Sequence, residues 1–232
     1  MRLIRVLALG VSLLAAGCSD RQSPEAAVSP APASQDAPAA APTASRPRIV
    51  CLGDSLTAGY GLGLDEAYPA RLGERLHAAG LDYEVVNAGV SGDTSAGGLR
   101  RLDWALEGDV RVVIVALGAN DGLRGLSVAE MKQNLTQIIQ RARERNAIVI
   151  LAGMEAPPNY GQEYATAFRQ AYREVAQRER VLFIPFLLDR VAGQGSLNQA
   201  DGIHPNPQGT AIVADTVWSV LRPLLDQMPG AS

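Results

Sequence analysis

Serine, histidine and aspartate occur in this chain at places where together they could transfer an acyl group. Acyl transfer needs an activated hydroxyl, a base within hydrogen-bond reach of it, a group that orients the base, and donors aimed at the developing oxyanion. A histidine is the simplest base near neutral pH, and the chain has two, His77 and His204. His77 lies near the end of a helical pattern, where a surface histidine suits the helix dipole. His204 lies in the predicted loop "DGIHPNPQG", in which Asp201 can fold back onto the ring.

The candidate nucleophile is Ser55 in "GDSLTAG", directly after an apolar run. An alternative stays open for this segment, a strand-to-helix turn in which Asp54 bonds the backbone and Ser55 caps the helix. The segment "DGIHPN" has a similar alternative, a turn in which Asp and Asn only cap backbone groups. The chain lacks the G-x-S-x-G elbow of the α/β-hydrolases at this serine. The glycines at 59, 61 and 63 do not have the G-x-G-x-x-G spacing of a dinucleotide loop.

Short β-branched runs alternate with longer amphipathic segments from Arg48 onward, which is the pattern of a parallel sheet with helical connections. The predicted strands are nearly continuous apolar runs, as expected for strands covered on both faces. They are residues 48–53, 83–89, 110–118, 147–153 and 180–186. The predicted helices are residues 67–79, 94–106, 127–145, 160–179 and a last one, capped by Asn206, from Pro207 to about 225. The sequence therefore predicts an α/β fold, a three-layer α/β/α sandwich with a five-stranded parallel sheet, in one domain over residues 48–228.

The carboxyl ends of the strands are where these elements would position the chemistry. Right-handed crossovers place those ends on one edge of a parallel sheet, and open α/β folds bind their ligands there. Ser55, Gly89 and Asn120 all fall at the ends of predicted strands, so we expect them to converge although they are far apart in the sequence. Neighbouring aspartates are expected to bond backbone groups in turns; these are Asp54, Asp93 and Asp121.

The first 18 residues resemble a bacterial export signal. Arg2 and Arg5 precede an apolar run that is too short to span a bilayer as a helix and that ends in small residues. The segment "LAAGC", residues 14–18, resembles the lipobox of bacterial lipoproteins, which would make Cys18 the lipidated first residue of the mature chain. The alternative is an ordinary cleaved signal and a soluble periplasmic or secreted protein. Ser19 carries no charge that would retain a lipoprotein at the inner membrane, so we expect the lipid anchor to lie in the outer membrane.

Residues 19–47 are rich in Ala, Pro and Ser without apolar periodicity, and we expect a semi-extended linker. Lipidation of Cys18 would leave Cys51 without an intramolecular partner, and its apolar surroundings predict a small buried hydrophobe. The net charge of −3 does not favour nucleic-acid binding. One histidine beside one carboxylate supplies too few ligands for a metal site, so neither a metal nor another cofactor is expected.

Four segments in order along the chain resemble the signature blocks of the GDSL or SGNH hydrolase family. They are "GDSL", "NAGVSGDTS", "LGAND" and "DGIHPN", and the resemblance covers residues 48 to about 225. It implies a flavodoxin-like SGNH hydrolase fold and a serine hydrolase in which Ser55 is the nucleophile, His204 the base and Asp201 its orienter. It also implies an oxyanion hole made by the backbone N–H groups of Ser55 and Gly89 and by the Asn120 amide.

Neighbouring residues resemble the branch of thioesterase I, arylesterase and lysophospholipase, enzymes of the bacterial periplasm. This implies a monomeric esterase acting on small ester, thioester or lipid substrates. The loops "GLRGL" and "MEAPPNYG" are expected to form the acyl pocket, unless their residues only pack the loops. Glu155 adds a charge there, and this chain has Ala156 and Pro157 where the branch has a bulkier apolar residue, which leaves the acyl-chain preference open. The expected apolar contacts with the acyl chain come from Leu123, Leu126, Met154 and Pro157.

Two other functions stay open from the sequence. One is a deacetylase of cell-wall or exported polysaccharide, although 5% aromatic residues offer no evident platform for stacking on sugars. The other is a catalytically idle lipoprotein that keeps the fold to hold a lipid or glycan. The complete set of candidate catalytic residues favours an enzyme over the idle protein; this set is Ser55, Gly89, Asn120, Asp201 and His204.

Overall fold

A computed structural model of the chain describes residues 46–228. The predicted signal peptide, the lipobox with Cys18 and most of the predicted linker therefore lie outside the described residues. In the described part, five parallel strands form one sheet in the order β2-β1-β3-β4-β5, the order of flavodoxin-like folds. The strands are β1 Arg48–Gly53, β2 Glu84–Gly89, β3 Val110–Ala116, β4 Ile148–Ala152 and β5 Leu182–Ile184. The predicted five-stranded parallel sheet is confirmed.

Helices connect these strands and cover both faces of the sheet. They are α1 Ser55–Ala58, α2 Tyr68–Ala78, α3 Ser95–Arg100, α4 Leu102–Ala105, α5 Ala119–Leu123, α6 Val128–Glu144, α7 Gln162–Glu179 and α8 Pro207–Leu225. Helix α2 packs against α8, whereas α6 packs against α3 and α7. Right-handed crossovers put the connection from β1 to β2 on one face and the later connections on the other, so these two groups form the outer layers. The molecule is the three-layer α/β/α sandwich expected from the sequence.

The structure departs from the expected elements in three ways. The predicted helix 94–106 is two helices, α3 and α4, which meet at Arg101, where the backbone leaves the helical range with φ −101° and ψ 10°. The helices α1 and α5 escape prediction because five residues or fewer show no apolar periodicity. Strand β5 is shorter than residues 180–186, since Pro185 has no N–H with which to continue the ladder.

The core lies on both sides of the central strands β1 and β3, whose apolar side chains are almost completely buried. Cys51 belongs to this core with 0% exposure, as predicted, and burial raises the pKa of its thiol to about 12. The predicted start of α8 is also confirmed, since Asn206 Oδ1 accepts the N–H groups of Gln208 and Gly209 at 3.0 Å. Within residues 46–228, no helix combines the length and the apolar character needed to cross a bilayer.

Candidate active site

Ser55, His204 and Asp201 form a continuous chain of hydrogen bonds at the carboxyl edge of the sheet. The Ser55 Oγ atom lies 2.9 Å from His204 Nε2, and His204 Nδ1 lies 2.7 Å from Asp201 Oδ2. Ser55 is the first residue of α1, directly after β1, whereas the other two lie in the loop before α8. The structure thus brings together residues 149 positions apart in the sequence. The other histidine, His77, is exposed in the last turn of α2, as expected.

The loop that carries His204 is held by the same carboxylate that faces the ring. Asp201 Oδ1 accepts the backbone N–H groups of Ile203 at 3.0 Å and of His204 at 3.1 Å, which leaves Oδ2 for the imidazole. The bond from the His204 ring, reinforced by these two backbone bonds, lowers the pKa of Asp201 to about 2. The carboxylate is therefore ionised at neutral pH. The Tyr60 ring packs against the imidazole, with ring centroids 4.8 Å apart.

The turn before Ser55 is fixed by the two residues that precede it. Asp54 is the N-cap of α1, and its Oδ1 accepts the N–H of Leu56 at 3.0 Å. A Cβ on Gly53 would lie 2.9 Å from the backbone oxygen of Ala116, so a side chain has no room between β3 and α1. As the first helical residue, Ser55 keeps its backbone N–H without an acceptor among residues 46–228. The capping turn offered as an alternative is thus present, but it presents the serine side chain to His204.

Asp54 is a buried ionisable group beside the nucleophile. Its side chain is 1% exposed, and its Oδ2 atom has no hydrogen-bond partner in the described part of the chain. Burial raises the pKa of this carboxyl to about 6, although the bond from Leu56 and the proximity of His204 oppose the rise. Asp54 is therefore a buried titratable carboxyl at the start of α1, and it makes no hydrogen bond with Ser55, His204 or Asp201.

Asn120 reaches the site from α5, which two residues separate from the end of β3. Its Nδ2 atom donates to the carbonyl oxygen of Asp93 at 2.9 Å and still carries a second hydrogen. Asn120 lines the same cavity as Ser55 and His204. The contact with Asp93 fixes the direction of the amide, so the free hydrogen has a defined orientation at this cavity.

Gly89 does not offer the free donor that the sequence led us to expect. Its N–H donates to Asn87 Oδ1 at 3.0 Å. A Cβ at this position would lie 2.2 Å from the backbone nitrogen of Ala58. Only glycine fits here, because α1 packs closely on β2. These contacts indicate that Gly89 allows α1 to pack on β2. A backbone N–H other than that of Gly89 must then join that of Ser55 in the oxyanion hole.

Gly92, which the sequence reasoning passed over, has the properties of such a donor. It occupies a tight turn closed by the bond from Asp93 N to Val90 O at 3.1 Å, and its φ of +83° requires glycine. Its carbonyl oxygen accepts from Arg124, whereas its N–H meets no acceptor among the described residues. Gly92 is the second glycine of the block "NAGVSGDTS" and directly precedes Asp93. In the structure, Asn120 donates to the carbonyl oxygen of this aspartate.

Arg101 ties the strand ends together beneath the site, and no sequence pattern indicated it. Its guanidinium donates to Asp93 Oδ2 at 2.6 Å, to the carbonyl oxygen of Ala88 at 2.7 Å and to that of Gly53 at 2.7 Å. Asp93 therefore pairs with a side chain, and no backbone N–H among the described residues donates to its carboxylate, which corrects the backbone role expected of it. Asp121 accepts the N–H and the hydroxyl of Ser95 at 2.7 and 2.6 Å.

A cavity of about 260 Å³ opens beside the Ser55 hydroxyl. Three of the four predicted acyl contacts line it, namely Leu123, Met154 and Pro157. Leu126 does not line it; its side chain is 40% exposed outside the cavity, because the chain turns away after α5. Further apolar walls come from Ala156, in the loop expected to form the pocket, and from residues that the sequence did not single out: Leu56, Phe186, Leu188, Ala192 and Ile203. A larger open groove of about 770 Å³ between α6 and α7 contains none of the three hydrogen-bonded residues.

The sequence and the fold were compared with known proteins. The model of the GDSL-like Lipase/Acylhydrolase family matches residues 51–212, which hold the serine, the histidine and the aspartate. The chain belongs to this family. It is 45% identical to Esterase TesA of Pseudomonas aeruginosa over 178 residues, which covers 76% of this chain and 89% of the relative. It is 39% identical to thioesterase 1/protease 1/lysophospholipase L1 of Escherichia coli strain K12, covering 77% of this chain and 85% of the relative.

Solved structures show the same fold. A crystal structure of TesA matches with a TM-score of 0.74 and 44% identity, covering 76% of this chain and 99% of that one. The psychrotrophic esterase EstA from Pseudoalteromonas sp., inhibited by monoethylphosphonate, matches with a TM-score of 0.74 and 35% identity over 78% of this chain and 99% of that one. The prediction of a GDSL serine hydrolase of the esterase, arylesterase, thioesterase and lysophospholipase type is confirmed.

Proposed function

We propose that this protein hydrolyses carboxylic esters, and with them acyl thioesters or lysophospholipids, through an acyl-enzyme on Ser55. The observation that carries the proposal is the unbroken chain from Ser55 Oγ through the His204 ring to Asp201, with distances of 2.9 and 2.7 Å, at the mouth of an apolar cavity. A nucleophile hydrogen-bonded to a base that a third group orients is the arrangement that acyl transfer requires. A binding protein without catalysis would have no use for it.

The first half of the reaction forms the acyl-enzyme. Ser55 Oγ attacks the carbonyl carbon of the ester while His204 Nε2 takes the hydroxyl proton. Asp201 Oδ2 accepts a hydrogen bond from the Nδ1–H of the ring, which keeps Nε2 free to act as the base and stabilises the imidazolium that forms. His204 then gives its proton to the leaving alcohol or thiol, and the bond between the carbonyl carbon and the leaving group breaks.

The second half releases the acid. A water molecule takes the place of the alcohol or thiol, His204 removes its proton, and the water oxygen attacks the acyl carbon. The tetrahedral intermediate returns the proton from His204 to Ser55 Oγ as the acid leaves. No electron transfer is involved, so the reaction balances with the ester and water alone.

The oxyanion of each tetrahedral intermediate accepts three hydrogen bonds in this proposal. The donors are the backbone N–H groups of Ser55 and Gly92 and the free hydrogen on Asn120 Nδ2. This replaces Gly89, whose N–H is already bonded to Asn87. The support for Gly92 is its unbonded N–H in a turn adjacent to the carbonyl oxygen that Asn120 contacts. Each donor of this kind is worth about 3 kcal/mol of activation free energy.

The substrate follows from the cavity and from the relatives. The apolar walls suit an acyl chain, and a volume of about 260 Å³ favours chains of limited length because small-ligand pockets occupy roughly 300–1,000 Å³. The names esterase, arylesterase, thioesterase and lysophospholipase of the relatives support a range of leaving groups. The leaving group of an ester or thioester lies outside the acyl pocket, so one site can serve both.

The location of the protein is proposed from the sequence before Arg46. A lipid-modified Cys18 followed by the linker of residues 19–47 would tether a monomeric hydrolase to the periplasmic face of the outer membrane. Anchoring by several acyl chains would be firm, whereas one chain gives only reversible binding. A soluble periplasmic or secreted enzyme is the alternative, and metabolic labelling with a radioactive fatty acid, lost in Cys18→Ala, distinguishes the two.

The catalytic proposal is tested by hydrolysis of p-nitrophenyl esters from acetyl to long acyl chains. Ser55→Ala should lower kcat by at least about 10⁴-fold, because the variant retains only binding and the oxyanion donors. Ser219→Ala is the matched control, since this serine lies on α8 and bonds only the backbone of Thr216. Equal activity of Ser55→Ala and the wild type would overturn the proposal. The chain length with the highest kcat/KM separates acetyl-ester hydrolysis, as in a deacetylase, from lipid chemistry.

A further inference from the structure

The exposed large apolar side chains of this protein are concentrated at the edge of the sheet that carries the active site. Among the described residues, those with 37% exposure or more number ten, and seven of them follow the carboxyl ends of strands. The other three, Trp104, Ile148 and Leu182, lie on α4 or near the amino ends of β4 and β5. We call the seven the apolar rim: Tyr60, Leu64, Val90, Leu123, Leu126, Tyr160 and Ile203.

Contacts within the apolar rim connect it to the mouth of the cavity. Leu123 and Ile203 line the cavity itself, and Tyr60 packs on the His204 ring with centroids 4.8 Å apart. The Tyr160 hydroxyl donates to the carbonyl oxygen of Leu123 at 3.1 Å, which joins the two loops on that side. These four residues of the rim, Tyr60, Leu123, Tyr160 and Ile203, therefore flank the opening through which a substrate reaches Ser55.

Large apolar side chains exposed at the edge of the sheet that carries the cavity indicate an interaction site, whereas the same side chains scattered singly over the surface would need no explanation. Leu64 is 87% exposed and Tyr60 is 55% exposed, so neither contributes much to the core. A protein partner seated on the apolar rim would close the opening to the cavity during catalysis. A lipid surface would not, since it would itself be the source of the acyl ester. Tyrosine rings also suit the boundary between apolar chains and headgroups, and the rim contains two.

We propose that the apolar rim docks on a lipid bilayer, so that the enzyme draws single acyl esters from the membrane surface into the cavity. The inference rests on the ester hydrolysis proposed above and adds the physical state of the substrate to it. The net charge of −3, made more negative when Arg2 and Arg5 are removed with the predicted signal peptide, gives the chain no attraction to anionic lipids. The contact is therefore apolar and insensitive to salt.

The chain before Arg46 is long enough to permit this orientation. The described domain begins just before β1, at the amino edge of the sheet, whereas the rim lies at the carboxyl edge, about 20 Å away along a six-residue strand. About 28 residues separate Cys18 from Arg46, and a chain of that length can reach at most roughly 90–100 Å. The domain itself has a radius of gyration of about 16 Å. A lipid-anchored domain can thus turn its rim toward the same membrane.

The test measures binding to vesicles separately from catalysis. The mature chain from Ser19 to Ser232, made without lipid and carrying Ser55→Ala, is sedimented with phosphatidylcholine vesicles that contain one fifth lysophosphatidylcholine. The rim variant is Leu64→Ser with Leu126→Ser, neither of which lines the cavity. The matched control is Trp104→Ser with Ile148→Thr, exposed apolar residues away from the rim. We expect the rim variant to lower the bound fraction at least fivefold and the control to change it less than twofold.

With Ser55 intact, the rim variant should hydrolyse vesicle-borne lysophosphatidylcholine at least fivefold more slowly and p-nitrophenyl acetate at an unchanged rate. The unchanged rate on the soluble ester also shows that the variant is folded. Equal vesicle binding by the rim variant and the control would overturn the inference, and so would absence of binding by the parent chain or its release by 0.5 M NaCl. Failure of the proposed function looks different: the enzyme with Ser55 intact would then not hydrolyse the soluble ester either.

Discussion

Arg101 donates a hydrogen bond to the carbonyl oxygen of Gly53 at 2.7 Å, so an arginine from the junction of α3 and α4 fixes the end of the strand that leads to Ser55. The same guanidinium holds Ala88 at the end of β2 and the carboxylate of Asp93. Asp93 closes the turn that contains Gly92, so the arginine positions this turn through the Asp93 carboxylate. It also positions Asn120, whose amide donates to the carbonyl oxygen of Asp93. One side chain thus holds in place the nucleophile and two of the proposed oxyanion donors.

Replacing this arginine should destabilise the fold and the site together. Arg101→Met keeps most of the side-chain volume but leaves the largely buried Asp93 and two carbonyl oxygens without their partner. We expect the free energy of unfolding to fall by about 3 kcal/mol, and urea denaturation measures it. Arg111→Met, which breaks an exposed ion pair with Asp109, should lower the free energy of unfolding far less, because solvent screens that pair. Equal losses in the two variants would contradict the bracing role of Arg101.

Asp201→Asn should lower kcat and leave substrate binding almost intact. The asparagine amide can donate to His204 Nδ1, which places the ring proton on Nε2 and prevents the ring from accepting the Ser55 proton. We expect kcat to fall by roughly 10³–10⁴-fold with KM changed less than threefold. Asp226→Asn at the end of α8 is the control, since it pairs only with Arg222 far from the site. A loss confined to KM would contradict the proposed role.

The pH dependence of Asp201 has a definite sign. Its pKa in the folded protein is lowered to about 2, below the usual value near 3.9 of an unfolded chain. The stabilisation from this group is therefore complete above pH 4 and is lost as the pH falls from 4 toward 2. The difference in unfolding free energy between the wild type and Asp201→Asn, measured by urea denaturation, should therefore shift against the wild type as the pH is lowered from 4 to 2. A difference that stays constant over this acid range would contradict the lowered pKa of Asp201.

Asn120→Ala tests the oxyanion donor that comes from α5. Its amide is proposed to bond the oxygen only when negative charge develops, so the loss should fall on kcat and not on KM. We expect a decrease of about 10²–10³-fold in kcat. Asn120→Asp should be lower still, because a carboxylate repels the oxyanion. Thermal unfolding checks that the lost contact with Asp93 has not simply disordered the turn; a Tm lowered by more than about 8 °C would assign the effect to folding instead.

The sequence predicted the sheet and the hydrogen-bonded residues for physical reasons that are local. Buried parallel strands must be apolar runs, and a chain with two histidines offers only two candidates for the base, of which His77 lay in a helix. What escaped prediction depends on contacts between distant segments. Gly89 and Gly92 occupy the same block, and only the packing of α1 and the bond from Gly89 to Asn87 show which glycine has a free N–H. In the sequence, nothing distinguishes Arg101 from other arginines in helical segments. Its role follows only from its bonds to the carbonyl oxygens of Gly53 and Ala88, which the fold brings together.

Asp54→Asn should stabilise the protein at neutral pH. The folded-state pKa of about 6 lies above the usual value near 3.9, so the unfolded chain loses this proton first as the pH rises. The free energy of unfolding of the wild type relative to Asp54→Asn is therefore highest below pH 4. It falls as the pH rises from 4 to about 6. Two pKa units correspond to about 3 kcal/mol, and asparagine caps a helix as well as aspartate does. Urea denaturation should show the free energies of unfolding of the two proteins differing at pH 7 and not at pH 4. An equal difference at both pH values would contradict the raised pKa of Asp54.

Glu155 should make the enzyme discriminate against negatively charged acyl chains. Besides His204, it is the one ionisable residue that lines the cavity in the described part of the chain, and its partner Arg169 lies 3.4 Å away with about half of each side chain exposed. The screened repulsion of an anionic acyl chain should be about 0.5–1 kcal/mol, a factor of about two to five in kcat/KM. Glu155→Gln should therefore raise kcat/KM for the p-nitrophenyl hemiester of a dicarboxylic acid by that factor relative to p-nitrophenyl butyrate. Glu163→Gln, in the first turn of α7 outside the cavity, should leave the ratio unchanged. A ratio that moves equally in both variants would assign the preference to the overall charge of the protein instead of to Glu155.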